Sequence, residues 1–331
     1  MNRSVDISVV VCTYNRAEML RPSVESLLAI DTEGLYAHEI VVVDDGSTDD
    51  TQATLQDLKA RSPVPMCVVR GAGTGVAAAR NTGICASSGR YIAFFDDDQF
   101  AHTAWLTALW RTMKTTSAAC VGGARTLDLE TGVLESMPRI SRLYLGEIPV
   151  EPFPRECGRN DLLCTGTVLI DRTLFDHVGV FDESLTQGGE DTEFFTRVRK
   201  AGGACWFTPL SLVRHMVPEY RMKRQYLIWS AIRGGDCFAI RDAREWGVMY
   251  TIGVAMARLM HAIALHMPAM ALAAIRSERA FVLARWCQIC RALAYARRSA
   301  LLALPRSNAA GKGAFAIDFR SERNLFPKSP Q

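Results

Sequence analysis

Three consecutive aspartates, Asp96, Asp97 and Asp98, directly follow the apolar run YIAFF at 91–95. Neighbouring like charges repel, and a hydrophobic strand would hold them at a partly buried edge, so the triplet calls for a cation. Carboxylate oxygens are hard ligands that suit Mg²⁺ or Mn²⁺, and such ions usually bridge one or two carboxylates to the phosphates of a nucleotide. Alone, the triplet would read as a solvated acidic turn; its strand context and the other polar clusters of the chain favour the metal. A second acidic pair, Glu190-Asp191, follows Gly188-Gly189 and opens an amphipathic pattern with Phe194, Phe195 and Val198. Acids at that position can simply complement a helix macrodipole. They also offer the carboxylate that a hydroxyl, a poor nucleophile, needs to take its proton as it attacks.

The elements that position these groups alternate. The β-branched run ISVVVC at 7–12 predicts a strand buried on both faces, and 17–30 carries Leu20, Val24, Leu27 and Leu28 at helical spacing. Strands at 39–43, 66–69 and 91–95 and helices after Ser47 and over 74–86 continue the pattern. The prediction is an α/β fold with a mostly parallel central sheet and helices on both faces. In such sheets ligands bind outside the carboxyl ends of the strands. Three of those ends carry polar clusters: Thr13-Tyr14-Asn15-Arg16, Asp44-Asp45, and the aspartate triplet. Asp44 or Ser47 alone would be a turn former; three clusters on one edge make a site. A dinucleotide fold is excluded, because no glycine stands in Thr13-Tyr14-Asn15-Arg16 after the first strand. Gly71-Ala72-Gly73-Thr74-Gly75 follows the third strand and reads as a flexible turn before a helix whose N-terminus could face an anion.

With 331 residues, 49% hydrophobic and 22% charged, the chain suits a folded core of about two domains and not disorder. Its net charge of +3 hides an asymmetry. Residues 1–240 hold 24 Lys and Arg against 30 Asp and Glu, a net −6, and residues 241–331 hold 14 against 5, a net +9. No nucleic-acid partner is expected. Ten scattered cysteines in a chain of this size point to a reducing compartment, and Cys287 and Cys290 read as helix packing without a second ligand pair. The N-terminal apolar run is too short for a signal peptide.

The segments ISVVVCTYNR (7–16), EIVVVDDGSTDDT (39–51), AAARNTGICASSGRYIAFFDDD (77–98) and GVFDESLTQGGEDTEFFTRVRKAGG (179–203) resemble, in order, the motifs of the family 2 glycosyltransferases, over about two thirds of the chain. The resemblance implies a glycosyltransferase-A fold, a nucleoside diphosphate sugar donor (a UDP-sugar favoured), Mn²⁺ or Mg²⁺, and inversion at the anomeric carbon. It places Thr13, Tyr14, Asn15, Arg16 and Asp45 around the nucleoside, with Arg80, Asn81, Asp96 and Asp97 also on the donor side. Asp98 becomes the metal ligand with Asp96 near the ribose or a metal-bound water, and His215 resembles a further ligand that some relatives add. Asp191 becomes the base and Glu190 an acceptor-positioning group. Thr165-Gly166 matches a small-residue segment on the acceptor side. Trp206 could stack on a sugar there or simply be a buried tryptophan, and Arg214 could pair with phosphate or be solvated.

Beyond residue 217 the composition turns to Ala, Leu, Met and Arg. Residues 247–275 contain one formal charge, Arg258, and are long enough to span a bilayer. Thr251, Arg258 and His261 share one side of a helical wheel, however, and Pro268 should interrupt the helix. Residues 281–298 place Val282, Trp286, Ile289 and Leu293 on one face, with Arg285, Arg291 and Arg298 away from it. The reading adopted is helices lying in the headgroup layer of an anionic membrane, at the inner face of the cell membrane in the cytoplasm. A soluble helical subdomain, a homodimer contact and a true span stay open. The expected organisation is a catalytic domain at 1–218, a helical region at 219–305 and a flexible basic tail at 306–331, with 125–160 a variable loop that shapes acceptor choice. The activity expected is sugar transfer to a glycan or glycolipid hydroxyl. The alternatives are a nucleotidyltransferase, which would need a basic glycine-rich loop after the first strand, and a noncatalytic glycan-binding protein.

Overall fold

Alternating β-branched residues that point to opposite faces need cover on both, and the structure provides it. The protein is described as a computed structural model over residues 5–158, 161, 163–185 and 189–304; Gly188 and the tail at 306–331 lie outside the described residues. The chain divides into two compact units, Met1–Asp128 with Glu147–Met216, and Leu129–Gly146 with Val217–Gln331.

The first unit runs β1 (Ile7–Thr13), α1 (Ala17–Leu28), β2 (His38–Asp44), α2 (Thr51–Arg61), β3 (Met66–Arg70), α3 (Val76–Ala86), β4 (Tyr91–Asp96), β5 (Gln99–Ala101), α4 (Trp105–Thr116) and β6 (Cys120–Asp128). In the second unit α5 (Thr131–Ser136) and α6 (Arg139–Tyr144) follow. The chain then returns to the first unit with β7 (Arg155–Glu156), β8 (Thr167–Asp171), α7 (Thr173–Val178), α8 (Glu190–Lys200) and β9 (Cys205–Met216). Among the described residues the strands form one nine-stranded sheet in the order β3-β2-β1-β4-β8-β6-β9-β5, with β7 beside β9. The first four strands pair in parallel, but β8 runs antiparallel to both β4 and β6, so the sheet is more mixed than the alternation of elements predicts.

Ile7, Val9 and Val11 of β1 enter one core cluster with Leu20 and Val24 of α1, Leu55 of α2 and Trp105 of α4. Val10 enters the other, with Ile84 of α3, Phe175 of α7 and Phe194 of α8. The period of two along β1 thus assigns each residue to one of two helical layers. The variable loop expected at 125–160 is largely ordered: β6 continues through Asp128, and α5, α6 and β7 follow.

The second unit adds α9 (Glu219–Met222), α10 (Arg224–Trp246), α11 (Val248–His261), a π-helical turn at Ala262–His266, α12 (Met267–Ile275) and α13 (Arg279–Ala303). Pro268 does not interrupt the helix. It sits in the first turn of α12, directly after the wider π turn, which relieves the ring clash and the missing N–H that proline imposes in a regular helix. Val248–Ile275 is consequently one continuous segment of 28 residues, long and apolar enough by length and composition to cross a membrane.

Along α13 the face of Val282, Trp286, Ile289 and Leu293 is partly exposed, and Arg298 points away from it. Trp286 and Leu293 are exposed, whereas Ala284, Cys287, Ala294 and Tyr295 are buried, and Arg298 turns inward to lie 3.3 Å from Asp236 on α10. A Cβ on Gly235 would come within 2.4 Å of the Arg291 carbonyl oxygen, so α10 and α13 approach closely at that glycine.

Candidate active site

The parallel register sets Thr13 beside Asp44 and Cys12 beside Asp96, which collects the polar clusters at one edge. The loops after β1 and β2 are tied together. Ser47 Oγ accepts the Asn15 N–H at 2.8 Å, and Asn15 Oδ1 accepts the Thr48 N–H at 2.7 Å. Asn15 adopts a left-handed φ of 50°, a conformation asparagine tolerates better than most residues. Tyr14 is half-buried beside it. Thr13 Oγ1 donates to Asp97 Oδ2 at 2.7 Å. Arg16 Nη1 lies 3.1 Å from Asp97 Oδ1 and 2.6 Å from Asp98 Oδ2, so a guanidinium supplies the cation that the triplet needs. Burial nevertheless pushes the Asp97 carboxyl up to about 6.

The antiparallel pairing of β5 with β9 sets His215 opposite Gln99, and its Nε2 lies 3.5 Å from Asp98 Oδ2. Among the described residues no group of three or more His, Cys, Asp and Glu side chains is arranged to hold a metal by itself. Asp98 and His215 still fit a divalent ion shared with substrate. Mg²⁺-type ions commonly use one or two protein carboxylates and take their other oxygens from phosphates and water, and Arg16 already fills a cationic place beside Asp98.

Asp96 is held between three side chains. Arg80 Nη2 lies 3.7 Å from its Oδ1, Arg125 Nη1 3.6 Å from its Oδ2, and Gln99 Nε2 donates to Oδ2 at 3.3 Å. Gly166 makes room for them: a Cβ there would stand 2.3 Å from Asp96 Oδ2, 2.6 Å from Gln99 Nε2 and 2.8 Å from Arg125 Nη1. All three are the far ends of side chains, so Gly166→Ala should fold with little loss of stability and displace the Asp96 carboxylate. A misplacement of about an ångström costs on the order of a hundredfold in rate. Turnover reduced to that degree at an unchanged melting temperature is the expected result, and wild-type turnover would show that the Asp96 position is unimportant.

Arg80 on α3 connects this cluster to α8. Its Nη1 lies 2.5 Å from Glu190 Oε1, with both side chains almost fully buried. Burial works against its charge, but Glu190 and then Asp96 outweigh burial and hold the guanidinium above its ordinary range. Glu190 Oε2 is buried with no hydrogen-bond partner among the described residues. Asp191, the next residue on the first turn of α8, is half-exposed, and its Oδ1 accepts the Thr192 N–H at 2.6 Å. Asn81 pins the preceding segment, donating to the Phe181 carbonyl and to Glu183 and accepting the Phe181 N–H.

The remaining residues fall in different places. Both Asp45 oxygens accept backbone N–H groups, from Gly73 at 2.7 Å and Gly75 at 3.1 Å, so the anion at the α3 N-terminus is this carboxylate. Thr165 is buried next to Gly166. Trp206 is not brought to the acids. Through Val121 and Leu169 it stands at the level of Ala93, three residues or about 10 Å back along the sheet from Asp96, and it packs against a core cluster. Arg214 lies 3.1 Å from Asp128. Arg125 and Gln99 escape the sequence reading, although an arginine directly after the buried run of β6 is a usable signal, because a charge drawn out of water needs a partner.

This sheet, with helices on both faces and acids at the carboxyl edge of its parallel strands, is the glycosyltransferase-A architecture of α/β transferases. Residues 8–178 match the family described as Glycosyl transferase family 2, and the chain belongs to that family. It is 31% identical over 239 residues to the succinoglycan biosynthesis protein ExoM of Rhizobium meliloti, covering 71% of this chain and 74% of that one. It is 33% identical over 101 residues to the UDP-Glc:alpha-D-GlcNAc-diphosphoundecaprenol beta-1,3-glucosyltransferase WfaP of Escherichia coli, covering 30% of this chain and 37% of that one. The fold is similar to that of the mannosyltransferase PcManGT from Pyrobaculum calidifontis in complex with GDP-Man and Mn²⁺. The TM-score is 0.58 at 17% identity, over 89% of this chain and 88% of that one.

Proposed function

We propose that this protein is an inverting, metal-dependent glycosyltransferase that moves a sugar from a nucleoside diphosphate sugar, a UDP-sugar by preference, to a hydroxyl of a glycan or lipid-linked glycan precursor. The observation that carries the reading is the position of Arg80, whose guanidinium lies 2.5 Å from Glu190 and 3.7 Å from Asp96. It joins the strand-end acids to the acidic turn of α8, so groups suited to a diphosphate and to an attacking hydroxyl face one edge of the sheet. The kinship with ExoM and WfaP supports polysaccharide biosynthesis and a lipid-linked acceptor, and PcManGT supports a divalent ion with the donor.

In this reading Asp98 and His215, with Asp96 beside them, would hold Mn²⁺ or Mg²⁺. Such an ion neutralises the charge that develops on a departing diphosphate. Thr13 and Arg16 fix Asp97 and Asp98, and Arg16 is also placed to swing onto a phosphate. Asp191 takes the proton of the acceptor hydroxyl as that oxygen attacks the anomeric carbon and the bond to the diphosphate breaks. Glu190 holds Arg80 with one oxygen and offers the acceptor the other. The enzyme works in the cytoplasm on the inner face of the membrane, where the exposed apolar side of α11 and α12 and the arginine excess of the C-terminal region meet the bilayer.

The test is release of nucleoside diphosphate from a panel of UDP-, GDP- and dTDP-sugars with Mn²⁺ or Mg²⁺. One donor should be turned over, chelation should stop the reaction, and Asp98→Asn should lower turnover on the order of a hundredfold, the equivalent of about 3 kcal/mol of lost charge stabilisation. Turnover indifferent to chelator and to Asp98→Asn would refute the metal assignment.

A further inference from the structure

Three cysteines stand in one row across the sheet, at the end away from the acids. Cys120 opens β6 and Cys205 opens β9, and the parallel register makes them direct partners. The two strand starts are tied by their backbones, with the Cys120 N–H donating to the Ala204 carbonyl at 3.3 Å. On the other side of β9, the antiparallel pairing of Glu156 with Trp206 carries Cys157 opposite Cys205, and the Cys157 N–H donates to the Cys205 carbonyl at 2.8 Å. All three side chains pack in the same core cluster. The sulfurs of Cys120 and Cys205 lie 3.1 Å apart.

That spacing is within reach of a covalent bond. A disulfide needs Cα atoms about 4.4–6.8 Å apart, and register partners on adjacent strands stand about 4.8 Å apart. Joining the sulfurs therefore asks for a side-chain movement of about an ångström and leaves the strands where they are. The two thiols are not equivalent. Cys120 is fully buried, and its hydrogen bond to Cys205, then burial, hold it well above the ordinary thiol range. Cys205 is half-buried, and the hydrogen bond from Cys120 outweighs burial and, with the nearby charge of Arg199, draws it below that range. The thiolate is the nucleophile in exchange with a disulfide, so Cys205 is placed to react first and Cys120 to resolve. Dithiols of this kind are reduced at rest in a reducing compartment and oxidise only when the surroundings do.

We propose that Cys120 and Cys205 form a thiol–disulfide exchange site that takes oxidising equivalents from a low-molecular-weight disulfide of the glutathione type. The Cys205 thiolate attacks one sulfur of the reagent, the reagent's S–S bond breaks, and one thiolate leaves and takes up a proton. Cys120 then gives up its proton and attacks Cys205 Sγ in the mixed disulfide, and the second reagent thiolate leaves and is protonated. Two protein thiols are oxidised and one reagent disulfide is reduced to two thiols. The site uses none of the residues assigned to sugar transfer, so its failure and the failure of the glycosyltransferase reading are separately visible. Purified full-length protein is incubated with glutathione disulfide, its remaining thiols are alkylated, and its peptides are mapped by mass spectrometry. The wild type should yield the Cys120–Cys205 cross-linked peptide, and dithiothreitol should abolish it. C120S should carry glutathione on Cys205 or join Cys205 to Cys157, either of which marks Cys205 as the attacking thiol. C205S should leave Cys120 free for alkylation, and C157S should cross-link as the wild type does. Should C120S fold poorly, C120A suits the apolar surroundings of that position and is read in the same way. Wild-type protein in which Cys120 and Cys205 stay open to alkylation, or C205S with glutathione on Cys120, overturns the site.

Discussion

Asp191→Asn should lower the turnover number with acceptor present by about 10² to 10⁴, the range contributed by a positioned general base. The Michaelis constant for the donor should barely change, because the amide removes proton acceptance and not a donor contact. Little stability is at stake. Asp191 is half-exposed, its Oδ1 bond to the Thr192 N–H can be made equally by an asparagine carbonyl, and the lost macrodipole term is about 0.3–1 kcal/mol. Glu190, one residue earlier, should behave in the opposite way, because its buried carboxylate is the partner of Arg80. Glu190→Gln should lower the melting temperature as well as the activity. The two variants together distinguish a proton acceptor from a structural ion pair that adjoins it. If Asp191→Asn retained more than about a tenth of the wild-type rate, the base would have to be sought elsewhere.

Arg80→Met carries the largest expected effect on stability. The substitution keeps the length and apolar stem of the side chain but leaves Glu190 buried without its cation, and breaking a buried pair in this way costs about 3–5 kcal/mol. For a unit of this size the melting temperature should fall by roughly 10 °C. The double variant Arg80→Met, Glu190→Met should recover much of that loss, because replacing both charges with apolar groups removes the uncompensated one. Calorimetry of the two single variants and the double variant closes the cycle. An Arg80→Met protein as stable as the wild type would mean that the pair is hydrated and that Arg80 is held in place for substrate alone.

Much of this architecture is legible along the chain because local patterns carry it. A β-branched run with a period of two, followed by helical spacing, defines β1 and α1 whatever the rest of the molecule does, and polar clusters directly after apolar strands mark the carboxyl ends. The aspartate triplet, the Glu190-Asp191 pair and the charge asymmetry of the C-terminal region are visible for the same reason. The antiparallel direction of β8 is not, because strand direction is set by connections and not by composition. Pro268 misleads in a similar way: the rule that proline ends a helix holds for the regular hydrogen-bond ladder, and the π turn before it changes that ladder. The close approach of α10 and α13 at Gly235 is equally hidden, because it depends on a contact between helices distant in sequence.

The sequence by itself therefore determined which elements form and which residue types gather at the strand ends, since both follow from neighbours within a few positions. Pairing across long separations was left to the tertiary structure. It placed Arg16 on Asp97 and Asp98, His215 beside Asp98, Arg80 between Asp96 and Glu190, and Arg125 against Asp96. It also packed the half-buried Trp206 against a core cluster and gave the Asp45 carboxylate to the N–H groups of Gly73 and Gly75. A charge taken out of water must find a partner, but which partner depends on the register of distant strands, and that is fixed only when the sheet closes over both cores.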